Sequence, residues 1–206
     1  MKIFLIVAPY FAFATLMLVT STTSSLFAAA AICLVITAFD FARGRSIKML
    51  GAGSAVIFAS LGCYQILGDE PLSNLAVKIA VDSGLLAIGL VSLAIRRPFT
   101  LQYARETVDA ETARSPDFLA INDIITSVWV LAFVLMISAN WLLINLPNLP
   151  LWSGLAIAVA IRNPALYFSQ WYPAYRQRKY GPPSNTMAKA PDGSSFKTTA
   201  IKDVFA

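Results

Sequence analysis

Apolar residues fill six blocks of this chain, roughly 3–20, 25–41, 49–67, 72–95, 117–142 and 150–171, separated by short polar segments. A helix needs about 20 mainly apolar residues to cross the hydrocarbon core of a bilayer. In lipid only helices and closed barrels satisfy every backbone polar group. These blocks are too long and too continuously apolar for barrel strands. The pattern therefore predicts an all-α membrane protein, a six-helix transmembrane bundle built from three helical hairpins. The bundle takes residues 1–180, with a cytoplasmic loop over 96–116 and a disordered cytoplasmic tail over 181–206.

Punctuation residues support these limits. Ser115-Pro116-Asp117 supplies a cap, a first-turn proline and a first-turn acid for the fifth span. Pro147 and Pro150 close that span and open the sixth, and Gly181-Pro182-Pro183-Ser184-Asn185 ends structure after it. The remaining tail is rich in Ser, Thr, Lys, Gly and Pro, and lacks the apolar surface to fold alone. The first block shares Lys2, an apolar run and small residues with a signal peptide. Its run is longer than the usual 7–15 residues of a signal core, so it is expected to stay as a span. On the third span Gly51, Ala55, Ala59 and Cys63 form a small-residue row, on which helices in lipid pack closely.

Charge fixes the expected orientation. Of 16 Lys and Arg residues, 14 fall in alternate connections or at the ends: Lys2; Arg43, Arg45 and Lys48; Arg96, Arg97, Arg105 and Arg114; and six from Arg176 to Lys202. The other connections, around 21–25, 68–71 and 145–150, hold no basic residue. Cytoplasmic loops retain Lys and Arg, so both termini are expected in the cytoplasm of a cell inner membrane. The net charge of +5 then reflects topology rather than nucleic-acid binding. The hydrophobic fraction of 57% and charged fraction of 13% leave little chain for a soluble domain. Cys33 and Cys63 lie within apolar spans and read as packing residues. With no histidine in the chain, imidazole ligands and histidine proton relays are excluded. No metal or cofactor is expected.

Charged residues inside spans are costly, at least about 2.5–3.5 kcal/mol each at a helix centre. Asp40 and Asp123 fall near the inner ends. Counting from Pro71 and Pro150, Asp82 is 11 and Arg162 is 12 residues into its span. Both therefore lie roughly 17 Å below the outer face, near mid-bilayer. Lys78 is one turn above Asp82 on the same face. The row Gly154, Ala158, Arg162 turns Arg162 toward protein, and Asn163-Pro164 marks a kink beside it. Lys78, Asp82 and Arg162 are thus the substrate- or ion-binding candidates. The same three residues also suit an ion-paired lock between helices.

The stretch Arg96-Arg97-Pro98-Phe99-Thr100-Leu101-Gln102-Tyr103-Ala104-Arg105 mixes aromatic and basic residues directly after a span. It suits an interfacial segment, with Phe99, Leu101 and Tyr103 near acyl chains and Arg96, Arg97 and Arg105 on anionic head groups. The run from Arg97 to Arg105 resembles a loop of a group of uncharacterised multi-pass bacterial inner-membrane proteins, which implies membrane location.

No nucleophile–base pair, metal-ligand set or nucleotide-binding glycine pattern occurs, so no enzyme activity is expected. The leading reading is a transporter-like or solute-permeation role through the midplane polar cluster. The alternative is a non-catalytic membrane scaffold or assembly factor that binds a partner through cytoplasmic loops and tail. Expected partners are membrane lipids with anionic head groups, with a protein partner or a second copy left open.

Overall fold

The computed structural model describes residues 2–146 and 152–180. Seven α-helices follow in order: α1 Lys2–Val19, α2 Thr22–Ala42, α3 Met49–Leu67, α4 Asn74–Ala94, α5 Phe99–Ala104, α6 Pro116–Ile144 and α7 Trp152–Tyr180. Two 3₁₀ turns, Arg105–Thr107 and Thr112–Arg114, join α5 to α6. Among the described residues there is no strand. Four helices are long and apolar enough to cross a membrane: α2, α3, α4 and α6. Their outer surfaces carry exposed Leu34, Val35, Val56, Leu90, Val91 and Leu131. A water-soluble monomer rarely shows so much contiguous apolar surface. α7 is long enough, but Arg162, Asn163 and Gln170 interrupt its apolar face, and it is not among the four. The described apolar stretch of α1, Pro9–Val19, is shorter. The expected tail over 181–206 and Pro147 and Pro150 lie outside the described residues.

Side-chain caps set the helix starts. Ser21, Ser73 and Ser115 each accept a hydrogen bond from the backbone N–H three residues on, at 3.2 Å. Ser21 thereby starts α2 at Thr22, earlier than the apolar pattern alone suggests. α7 runs on to Tyr180, past the expected end near 171, through Pro164 and Pro173. Arg178 and Lys179 in its last turn complement the helix dipole.

α2 and α4 end in one motif. In α2 Gly44 N–H bonds the Phe41 carbonyl at 2.9 Å and Arg45 N–H bonds the Asp40 carbonyl at 3.0 Å. In α4 Arg96 N–H bonds Leu93 and Arg97 N–H bonds Ser92, both at 2.9 Å. Both are Schellman closures, which require a left-handed residue. Gly44 takes φ +69°, but α4 uses Arg96 at φ 53°.

The core centres on Phe58 of α3, which is fully buried. Tyr10 and Phe13 of α1 lie against it, with ring centroids 5.8 and 5.3 Å away. Leu26, Ala29, Ala30 and Cys33 of α2 and Val77, Val81 and Leu85 of α4 complete it. The buried residues of α3 are Leu50, Ser54, Ala55, Phe58 and Gly62, so of the row from Gly51 to Cys63 Ala55 is buried and Ala59 packs against the core. Cys63 is exposed. The reason is space: a large ring at Phe58 fills the centre, while small residues on either side admit neighbours. Ser54 receives the Tyr10 hydroxyl, and a Cβ at Gly62 would lie 3.0 Å from the Phe27 ring. α3 and α4 interlock reciprocally. A Cβ at Gly53 would lie 2.5 Å from Ile88, and one at Gly84 would lie 2.6 Å from Ile57.

A left-handed conformation costs a non-glycine residue about 1–2 kcal/mol. Gly44 has open space where its Cβ would go, so only backbone strain opposes a side chain there. Gly44→Ala should lower stability by about 1 kcal/mol, and Arg96→Gly should raise it by a similar amount. Unfolding titrations in mixed micelles measure both signs.

Candidate functional site

Asp82 lies on the inward face of α4 and is 2% exposed. Its two carboxylate oxygens are held by different helices. Arg162 of α7 donates from Nη2 to Oδ1 at 3.3 Å, and Asn140 of α6 donates from Nδ2 to Oδ2 at 3.1 Å. The Arg162 guanidinium also sits 5.8 Å from the centre of the Tyr10 ring on α1, within cation–π range. Tyr10 in turn hydrogen bonds Ser54 on α3. One polar chain therefore runs α6–α4–α7–α1–α3 through Asn140, Asp82, Arg162, Tyr10 and Ser54.

Lys78 faces the same space, with its amine 3.2 Å from where a Cβ of Gly154 would lie. It makes no ion pair among the described residues. A cavity of about 30 Å³ lies between Lys78, Asp82, Asn140, Gly154, Ala158 and Arg162. That is room for about one water molecule. The pairing of Asp82 with Arg162 follows the depth count from sequence. Asn140 and Tyr10 did not emerge from the sequence. Each is a single polar residue in an apolar helix, and only the fold aims it at Asp82 or Arg162.

A second cluster gathers where α2 and α3 meet α5. Asp40 accepts from Lys48 Nζ at 2.5 Å and from Arg45 Nη1 at 3.1 Å. Lys48 also pairs with Glu106 at 3.2 Å and lies over the Tyr103 ring at 5.1 Å. Asp40 and Lys48 are each 8% exposed. Asp40 is thus part of a built network, beyond the incidental inner-end acid that its position suggested. Asp123 is exposed, as its position suggested.

The lipid-interface residues divide. Arg96, Arg97 and Arg105 are exposed, but Phe99 and Leu101 are 3% and 2% exposed and Tyr103 packs against the core. An acyl-facing role for Phe99, Leu101 and Tyr103 is therefore overturned. Hydrogen bonds turn this segment inward: Gln102 Oε1 accepts the Met49 N–H that opens α3 at 2.7 Å, and the Thr100 hydroxyl lies 2.7 Å from that of Thr126 on α6. α5 buries its apolar side, and the flanking Arg96, Arg97 and Arg105 stay exposed. Burial keeps the Tyr103 phenol protonated well above its ordinary range.

Beyond α5, Asp109 caps the turn Thr112–Arg114. Its carboxylate accepts from the Thr112 N–H and hydroxyl, both at 2.8 Å, and from the Glu111 N–H at 3.0 Å. These bonds, led by the Thr112 amide, hold the carboxyl below its ordinary value of 3.8.

Comparison with protein-family models, curated proteins and solved structures gives no match. The geometry alone defines the class: a helical membrane protein with four helices able to cross a bilayer and a paired charge network inside.

Removing one partner of a buried pair strands the other, at about 3–5 kcal/mol. Asp82→Asn and Arg162→Gln should each lose that much in unfolding titrations, and the double change should lose less than the sum. Asn140→Ala should cost about 1–3 kcal/mol by freeing one Asp82 oxygen. For Asp109 the lowered folded value means stability present at neutral pH and lost as pH falls below 3.8. The Thr112 amide should lose hydrogen-exchange protection in that window, and Asp109→Asn should flatten the pH dependence.

Proposed function

We propose that the protein is a non-catalytic scaffold or assembly factor of the cell inner membrane. On this reading α1 to α4 with α6 and α7 form six spans, and the basic residues of alternate connections put both termini and the 96–116 segment in the cytoplasm. The observation that carries this reading is how little space the paired charges leave beside them. Asp82 accepts from Arg162 and Asn140, so three helices meet beside a space of about 30 Å³. That space is far below the roughly 300–1,000 Å³ of small-molecule sites. Such an arrangement favours a structural lock over a substrate passage.

The exposed Arg96, Arg97, Arg105 and Arg114 form the partner-facing surface, held rigidly because α5 is pinned to both α3 and α6. Arg176 reaches toward Asp117 at 3.5 Å and ties the end of α7 to the start of α6. This brings the C-terminal end of α7 near that surface. A second reading, ion or solute permeation, rests on Lys78. Its amine shares the cavity with Asp82 without an ion pair among the described residues, and Pro164 follows Arg162 on α7.

Reporter fusions after residues 45, 110 and 185 should report cytoplasm, and fusions at 23, 70 and 147 should report the outside. A cysteine at Ala158, with Cys63 replaced by Ala, should resist small impermeant thiol reagents from both sides. Labelling of that cysteine from either side would replace the scaffold reading with the permeation one.

A further inference from the structure

A second cavity, of about 290 Å³, opens where α2 and α3 meet α5. Its wall is apolar, formed by Val35, Ile36, Phe39 and Ile47, and its polar end is Arg45 with the Asp40–Lys48–Glu106 network behind it. Val35, Phe39 and Ile47 are 66%, 51% and 55% exposed, so the wall is open on the side they share. Val35 and Phe39 belong to α2, whose outer face meets acyl chains if the helix spans.

We infer that this cavity binds one phospholipid, with an acyl segment along Val35, Ile36 and Ile47 and the phosphodiester on Arg45 and Arg43. Three observations select that occupant. The volume fits part of a chain rather than a whole lipid, so the remainder stays in the bilayer. Depth agrees as well: Val35 lies seven residues before the end of α2 at Ala42, roughly 10 Å inward, while Arg43 and Arg45 follow that end at head-group level. Charge also agrees. Arg45 is a third exposed and commits one guanidinium N–H to Asp40 among the described residues. Arg43 is held beside the opening by its guanidinium 4.1 Å over the Phe39 ring. Asp40, Lys48, Glu106 and Arg45 balance one another, so Arg43 is the surplus cation that meets the phosphate. Arginine suits phosphate through bidentate geometry. The proposal is independent of the scaffold reading, since Lys78, Asp82 and Arg162 do not line this cavity.

The test uses the full chain in bilayers containing phosphatidylglycerol or phosphatidylethanolamine with a diazirine near the head of one acyl chain. Cross-links should concentrate within residues 33–51 for both lipids, because both carry the phosphodiester. Native mass spectrometry should show one retained phospholipid, and the Arg43→Gln, Arg45→Gln double variant should reduce its affinity about a hundredfold, the loss of one charge-assisted bond at each arginine. Val35→Trp should block cross-linking at the opening. Even cross-linking over all apolar helices, or wild-type retention by the double variant, would overturn the site. Equal retention of diacylglycerol would overturn the phosphodiester assignment, and displacement by inorganic phosphate would point to a soluble anion in place of a lipid. The wild-type cross-link map decides the question if a variant fails to fold.

Discussion

The Asp82 carboxylate is the constraint on which the bundle depends. A charge 2% exposed inside an apolar assembly cannot remain without partners. Its two oxygens look to different helices, so satisfying it fixes α6 and α7 against α4 at once. Arg162 cannot turn away either, because its guanidinium would then lose both Asp82 and the Tyr10 ring. Tyr10 carries the chain on to Ser54. Apolar packing in lipid gives little preference for one helix arrangement over another, since lipid tails are as apolar as leucine. The directional bonds select this one. The apolar contacts then complete it, with Phe58 at the centre and Gly53, Gly62 and Gly84 accepting neighbouring side chains.

The two polar networks differ in their place in the bundle and in the space beside them. The network at Asp82 borders a space of about one water and joins helices far apart in sequence. The inner network at Asp40, Lys48 and Glu106 is local, holds the α2–α3 connection to α5, and borders a cavity about ten times larger. The first suits permanence and the second suits exchange with the surroundings.

Much of this was written in the pattern of the chain. Block lengths located all six long helices, and Ser115-Pro116 marked the start of α6 to the residue. Equal depth paired Asp82 with Arg162, because helix rise converts residue counts directly into distance. Partners that depend on rotation about a helix axis were hidden. Asn140 sits in an apolar run with nothing local to show that it faces α4. On α3 the small-residue row showed close approach at Gly51, Ala55 and Ala59 but not that Cys63 at its end is exposed, nor that a buried phenylalanine lies at the centre of the contact. The 96–105 segment misled for a related reason. Alternating aromatic and basic residues suit a membrane surface and also suit a short helix that buries one side, and Gln102 bonding to Met49 decides for burial.

The direct measurement of the central claim is a nitrogen–carbon dipolar experiment by solid-state NMR in lipid bilayers. Arginine guanidinium nitrogens and aspartate carboxyl carbons would be labelled, and the Arg162→Gln variant subtracted to isolate one pair from Arg45–Asp40 and Arg176–Asp117. With the Arg162 nitrogen 3.3 Å from an Asp82 oxygen, the difference should show strong dephasing of a single carboxylate. An Arg162 signal without dephasing would mean that the two side chains do not pair in the membrane, and the account of the bundle would fail.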